Sequence, residues 1–464
     1  MAPVAAPVSS VANAPSCILL DVRAYGAARH NATTADSKTS TGLPIEVTFF
    51  TEQPPVLSHF SVHCPGLQPQ ESTDSPTPKV IATDADLVLL RVPIDPRVLY
   101  DDYFVYVAHP QHPKLELLPN LSHDRLGDKE IAILRCADDQ EYAVAALKIN
   151  PFSNCSTLYL YRPKPDGEQG TWTVQHVSSE EPTIFSIPDM AQRLMYHVTT
   201  KVITPGGSKG TVGWVDLWHG ILLCDVLDKS PKFRYMLLPP TRSNRGPFLN
   251  HSDDCYRDII VSQHKDSIKY VEMLIAPPSL VTAIPSGTPD PDSYLEWMRR
   301  RECLSRQMRP SLVPGRWKIM TWSMPISSWG KWCIICKASS VYTSDDNLTN
   351  SELLYELSCS HKDKEQASQA TLSLGSLCMA YPTIDIDDDV VYLLTKAASA
   401  KYKTGIVVTA LDVKKNNLQG VAKLDSNIFT RCYLASGISK YLSTTDTNQS
   451  FGQAEGGAYA EADK

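Results

Sequence analysis

The stretch GWVDLWHGILLCDVL, residues 213–227, sets two carboxylates, a histidine, a thiol and two indoles inside an apolar run. Asp216 and Asp225 have the residue types for a general acid and base, if a fold brings them to one cleft. The competing role is structural: each carboxylate accepts an indole N–H or turn amides within a stack of sheets. The structural role is the expectation for both. Trp214 and Trp218 are then buried packing residues.

Other candidate sites are weaker. PGGSKGT, residues 205–211, resembles a phosphate loop, but its Gly-Lys-Ser/Thr order is wrong and a strand follows where a helix N-terminus is needed. Cys333 and Cys336 are an odd number apart, so a regular strand points them to opposite faces. Adding Cys359 and His361 supplies four zinc donors at an unusual spacing. DIDDD, residues 385–389, resembles half a calcium loop without its glycine, and Lys396 stands where the bidentate Glu belongs. A hairpin turn is the better reading. His59 and His63 lie too far apart on one extended strand to share a metal. No H-E-x-x-H or G-x-G-x-x-G motif occurs. The expectation is therefore a protein with no catalytic residues, cofactor or metal.

The elements that must position these residues read as short strands. Gly213, Gly220 and the β-branched Val215, Ile221 and Val226 argue against a helix over the stretch. A hairpin with His219-Gly220 as a two-residue turn pairs Trp218 with Ile221, Asp216 with Leu223 and Trp214 with Asp225. Both faces of that hairpin are largely apolar, so both must be covered. KFRYMLLPP adds a third strand that ends at Pro239-Pro240.

Similar meanders recur along the chain. CILLDV, PIEVTFF and HFSVHCPG form the first unit, and DLVLLRVP, YFVYVA and PKLELLP the second. PKLELLP resembles PKFRYMLLP closely enough to suggest an internal repeat. EIAILRC, EYAVAALKI, TLYLYRP and TWTVQHV make a four-stranded third unit, and the stretch around residues 213–227 makes the fourth. RDIIVSQHKDSIKYVEML with WKIMTWSMP, and TIDIDDDVVYLLTK with TGIVVTALDV and LQGVAKL, complete the set. The pattern predicts an all-β, β-propeller-like chain of about six blades, each a three- to four-stranded antiparallel sheet, over residues 17–442. Residues 1–16 and 443–464 read as disordered tails.

One helical insertion is expected at residues 293–309, opened by a Ser-x-x-Glu capping box. It carries Arg299, Arg300, Arg301, Arg306 and Arg309, with Trp297 and Met298 as apolar anchors. That is a candidate surface for an acidic protein partner, or a solvated face. Residues 339–369 read as a polar surface insertion.

Composition excludes several classes. The formal net charge is −7, so no general basic field attracts nucleic acid or anionic lipid. No run of about 18 apolar residues suggests a membrane span. The start has neither a basic n-region nor a leucine-rich h-region, so a cytoplasmic or nuclear monomer with scattered reduced cysteines is expected.

The strings GWVDLWHGILLCDVL, HFSVHCPG, WKIMTWS, DDDVVYLLTK, LQGVAKL and GISKYL resemble a plant family expanded in grasses, known as domain of unknown function 1618. The resemblance spans residues 17–442, with the named domain at about 215–340. It implies an architecture similar to F-box-associated β-propellers. No F-box-like leucine/proline helix pair precedes the first unit, a departure from a ubiquitin-ligase receptor, and a substrate-receptor-like adaptor lacking an F-box is one alternative function. The family supplies no catalytic residues, and its members are associated with stress responses or hybrid compatibility. The function expected is a non-enzymatic protein-interaction module. An enzyme or small-molecule binder using a central cavity is the alternative.

Overall fold

The computed structural model describes residues 15–442 except 27, 68–76, 96–99, 121–125, 137–140, 150–154, 165–169, 179–183, 187–193, 240–252, 276–278, 282–310, 314–316, 340–376, 398–405 and 425–431. The described residues form a six-bladed β-propeller. Blade 1 contains β1 (Ile18–Asp21), β2 (Ala35–Lys38), β3 (Pro44–Phe50) and β4 (Leu57–His63). Blade 2 is β5 (Lys79–Asp84), β6 (Leu87–Asp95), β7 (Tyr100–Val107) and β8 (Lys114–Leu117). Blade 3 is β9 (Ile131–Arg135), β10 (Tyr142–Lys148), β11 (Cys155–Arg162) and β12 (Thr171–Ser178). A two-stranded ladder, β13 (Ile184–Ser186) and β14 (Leu194–Tyr196), precedes blade 4.

Blade 4 is β15 (Lys201–Gly206), β16 (Thr211–Asp216), β17 (Gly220–Asp225) and β18 (Phe233–Leu237). Blade 5 begins with β19 (Arg257–Val261) and β20 (Ser267–Ile275). A second small ladder, β21 (Ser279–Val281) with β22 (Ser311–Val313), interrupts it before β23 (Trp317–Pro325) and β24 (Cys333–Ser339). Blade 6 is β25 (Leu377–Ile384), β26 (Val390–Ala397), β27 (Ile406–Asp412) and β28 (Asn417–Leu424). The last strand, β29 (Tyr433–Ser436), returns to blade 1 and pairs antiparallel with β1, Ile18 opposite Ser436. The order there is β2-β3-β4-β1-β29, so the ring closes through the two ends of the described chain.

Each strand feeds two interfaces because its side chains alternate. Leu87 and Leu89 pack towards blade 3, while Val88 and Leu90 pack towards blade 1. Six apolar clusters result, one between each pair of neighbouring blades. The sixth joins Leu19 and Tyr433 of blade 1 to Tyr392 and Leu394 of blade 6. Helix is confined, among the described residues, to short 3-10 turns at Asp253–Cys255, Ile326–Ser328 and Ile438–Tyr441. The expected helix at 293–309, with Trp297, Arg299, Arg300, Arg301 and Arg306, lies outside the described residues, as do residues 1–14 and 443–464.

The hairpin of residues 213–227 exists, but its register differs from the expected one. Asp216 pairs with Gly220, Trp214 with Leu222 and Thr211 with Asp225. The turn therefore has three residues, Leu217, Trp218 and His219. The shift is odd, so Asp225 moves to the face opposite Trp214 and Asp216. Trp218 leaves the sheet and is 39% exposed, which overturns its assignment as a buried packing residue. Trp214 is fully buried between blades 3 and 4, and its indole N–H donates to the Glu130 carbonyl at 2.9 Å. Trp214→Ala leaves a cavity there and is expected to cost about 3–5 kcal/mol, read as a lower midpoint in equilibrium urea unfolding.

Candidate functional site

Two features stand out: a cavity on the propeller axis and the exposed turn of blade 4. The cavity is about 900 Å³ and is walled by the innermost strands, β5, β9, β15, β19, β25 and β29. Its middle is apolar, with Ile81, Ile133, Val202, Ile203 and Ile260. Its two ends are charged.

One end lies where the inner strands begin. Lys79 and Arg91 both pair with Asp128, each at 2.5 Å, and Asp101 lies 3.9 Å from Arg91. Lys201 pairs with the fully buried Asp258 at 2.7 Å, and Asp258 also accepts the Ile384 amide. Arg23 and Lys129 stand exposed at this mouth, Arg23 within the electrostatic reach of Asp21.

The other end lies where the inner strands finish, and a side chain spans it. Lys265, in the turn after β19, reaches across the axis to the Asp84 carboxylate at the end of β5, at 2.7 Å. Lys265 has a positive φ of 54° within that turn. Asp84 also accepts the Arg135 amide from blade 3 and the Thr204 hydroxyl from blade 4. Four blades thus meet on one carboxylate. Burial pushes that carboxyl up, and the Lys265 ammonium, the Arg135 amide and the Thr204 hydroxyl pull it partly back. Beside it Arg135 forms an ion pair with Asp86.

The blade 4 turn is tied by Asp216. Its carboxylate accepts the amides of Trp218 (2.9 Å) and Val198 (3.0 Å), and meets the His219 ring at 2.9 Å. Burial works to raise this carboxyl. Hydrogen bonds from the His219 ring and the Val198 amide lead the opposing effects that outweigh burial and bring it below the usual carboxylate range. His197, close by, is pushed down to about 4 by burial, against the pull of Asp216, so it is neutral at pH 7. Trp218 lies over the Arg257 guanidinium, 4.3 Å from Cζ to the ring centroid. Arg257 is itself buried, held by the Leu217 carbonyl and Glu272. Around the turn Val198 is 64% exposed and Leu237 66%.

The remaining expected sites resolve as follows. Asp225 accepts from Thr211 at 2.7 Å and from Arg234 at 3.1 Å. It lies on the opposite face from Asp216, so the ladder does not assemble the two carboxylates into one acid–base pair. Cys333 and Cys336 do not point to opposite faces. A bulge in β24 consumes one residue, and they oppose Ser323 and Thr321, two positions apart on one face. Asp385 caps a hairpin turn, accepting the amides of Asp387 and Asp388 and the Tyr392 hydroxyl. PGGSKGT is the turn between β15 and β16, with Gly206, Gly207 and Gly210 all at positive φ. Cys359 and His361 lie outside the described residues. The spanning Lys265 and the exposed Trp218 were missed. Nothing local announces the first, whereas a three-residue turn after an Asx-type cap could have announced the second.

Two measurements check this geometry. Lys265→Met leaves Asp84 buried without its cation and is expected to cost about 3 kcal/mol. The double variant with Asp84→Asn should recover much of that loss in a double-mutant cycle. Asp216→Asn should cost about 1–3 kcal/mol at pH 7. Because the folded carboxyl is depressed, its contribution is present above the unfolded value of about 3.9 and is lost as pH falls through the folded value. The stability gap to the parent should therefore narrow below about pH 3.9 in unfolding curves taken across pH.

Among the described residues no helix is long and apolar enough to cross a membrane. No curated protein matches the chain. Residues 214–392, from Trp214 of blade 4 to Tyr392 of blade 6, match the family described as protein of unknown function (DUF1618), a longer stretch than the 215–340 expected.

Proposed function

We propose that the protein is a non-enzymatic protein-interaction module that docks its partner on the blade 4 turn. The observation that supports this reading is Trp218. A large aromatic ring stands partly in solvent, yet its amide is fixed by Asp216 and its ring lies on a buried arginine. Val198 and Leu237 extend the apolar surface around it. A side chain held in one geometry before binding loses little entropy on binding, which is the property of an interface anchor. The arginine-rich segment with Trp297, Arg299, Arg300, Arg301 and Arg306 is a second contact in this proposal. It would steer an acidic protein surface in a salt-dependent way. A monomer acting in the cytoplasm or nucleus, and a setting in grass stress response or hybrid compatibility, complete the proposal and rest on the sequence reading and family resemblance.

Affinity capture compares the parent with Trp218→Ala and with Arg299, Arg300 and Arg301 changed to Glu. Trp218→Ala is expected to keep a cooperative melt while losing at least ten-fold in capture of the parent's specific partners. The arginine variant is expected to weaken capture mainly at low salt. Unchanged capture by folded Trp218→Ala would reject the blade 4 docking site.

A further inference from the structure

We propose that the axial cavity binds a small organic anion, a carboxylate or phosphate monoester joined to an apolar body, through the mouth where the inner strands begin. The cavity's size falls in the range of small-molecule sites, and it combines apolar walls with a few charged groups, as such sites do. Six basic side chains line it, Arg23, Lys79, Arg91, Lys129, Lys201 and Lys265, against the acidic Asp84, Asp128 and Asp254. This is the reverse of the chain as a whole, whose net charge is −7.

The ion pairs show where the spare charge lies. Lys265 is committed to Asp84, Lys201 to Asp258, and Lys79 and Arg91 share Asp128. Arg23 and Lys129 are left at the same mouth, two cations against the one remaining lining carboxylate there, Asp254. Asp21 accepts the Arg23 backbone amide and is attracted by its guanidinium, though not as a close ion pair, so the guanidinium keeps its outer face for a ligand. The opposite end is crossed by Lys265, so a ligand enters beside Arg23 and Lys129. An oxyanion would sit between those two cations and place its apolar body against Ile81, Ile133 and Val202. Inside the wall the Thr383 hydroxyl has no hydrogen-bond partner among the described residues. Low-dielectric walls strengthen the attraction of such a mouth for an anion.

The test is calorimetric titration of the full chain with 1-naphthyl phosphate, 1-naphthoate and neutral 1-naphthol at constant ionic strength. At least one anion should bind saturably and at least ten-fold more tightly than 1-naphthol, and the pair shows whether phosphate or carboxylate is preferred. Arg23→Glu with Lys129→Glu should lower the anion's affinity at least ten-fold. Both residues are exposed and outside the ion pairs, so the melt should be retained; Lys129→Glu alone, expected to lose several-fold, serves if it is not. The Arg299, Arg300 and Arg301 variant should bind as the parent does, which separates this site from partner docking. The proposal is overturned if neither anion binds saturably, if 1-naphthol binds equally well, or if the reversed mouth binds like the parent.

Discussion

Two-sided apolar strands impose the constraint on which the molecule depends. A blade whose side chains alternate between two hydrophobic faces cannot be satisfied by one neighbour. It needs another blade on each side, and so does that blade in turn. Only a closed ring ends the sequence without leaving a bare face. The six clusters between blades are the expression of this closure, and the β29–β1 ladder is its fastener. Trp214 and Trp317 are fully or almost fully buried because each fills one of the wedges that the ring creates.

Closure also makes the axis. Inner strands that run side by side cannot fill the centre with their own side chains, and a cavity remains. The two ends of that cavity are treated differently. At one, Lys265 gathers blades 2 to 5 around the Asp84 carboxylate. At the other, cations line an opening beside Leu217, the neighbour of Trp218. The exposed indole and the basic mouth therefore belong to one end of the propeller, where the turn after β16 and the starts of the inner strands meet.

Much of this was legible in the residues. Period-two apolar runs separated by turn residues located the six units, because burial on both faces leaves a strong pattern in each strand. PKLELLP and PKFRYMLLP proved to contain equivalent outer strands, β8 and β18. What failed were features governed by one residue more or less. The His219-Gly220 turn was one residue too short, since the Asp216 carboxylate caps a three-residue turn that glycine preference alone does not reveal. The bulge in β24 reversed the expected facing of Cys333 and Cys336 for the same reason. The closing strand β29, YLAS, was missed because its partner β1 lies at the other end of the chain, so no hairpin neighbour marks it. The Lys265–Asp84 contact joins residues 181 positions apart and has no local signature at all.

The ladder between β1 and β29 also has a meaning in time. Ile18 leaves the ribosome more than 400 residues before Ser436, its partner. At roughly 5–20 residues per second, that wait lasts about 20–80 s. Throughout it the innermost edge of blade 1 is an unpaired strand, open to any other strand it meets. Synthesis of this chain thus contains a period in which the first blade is written but cannot be finished.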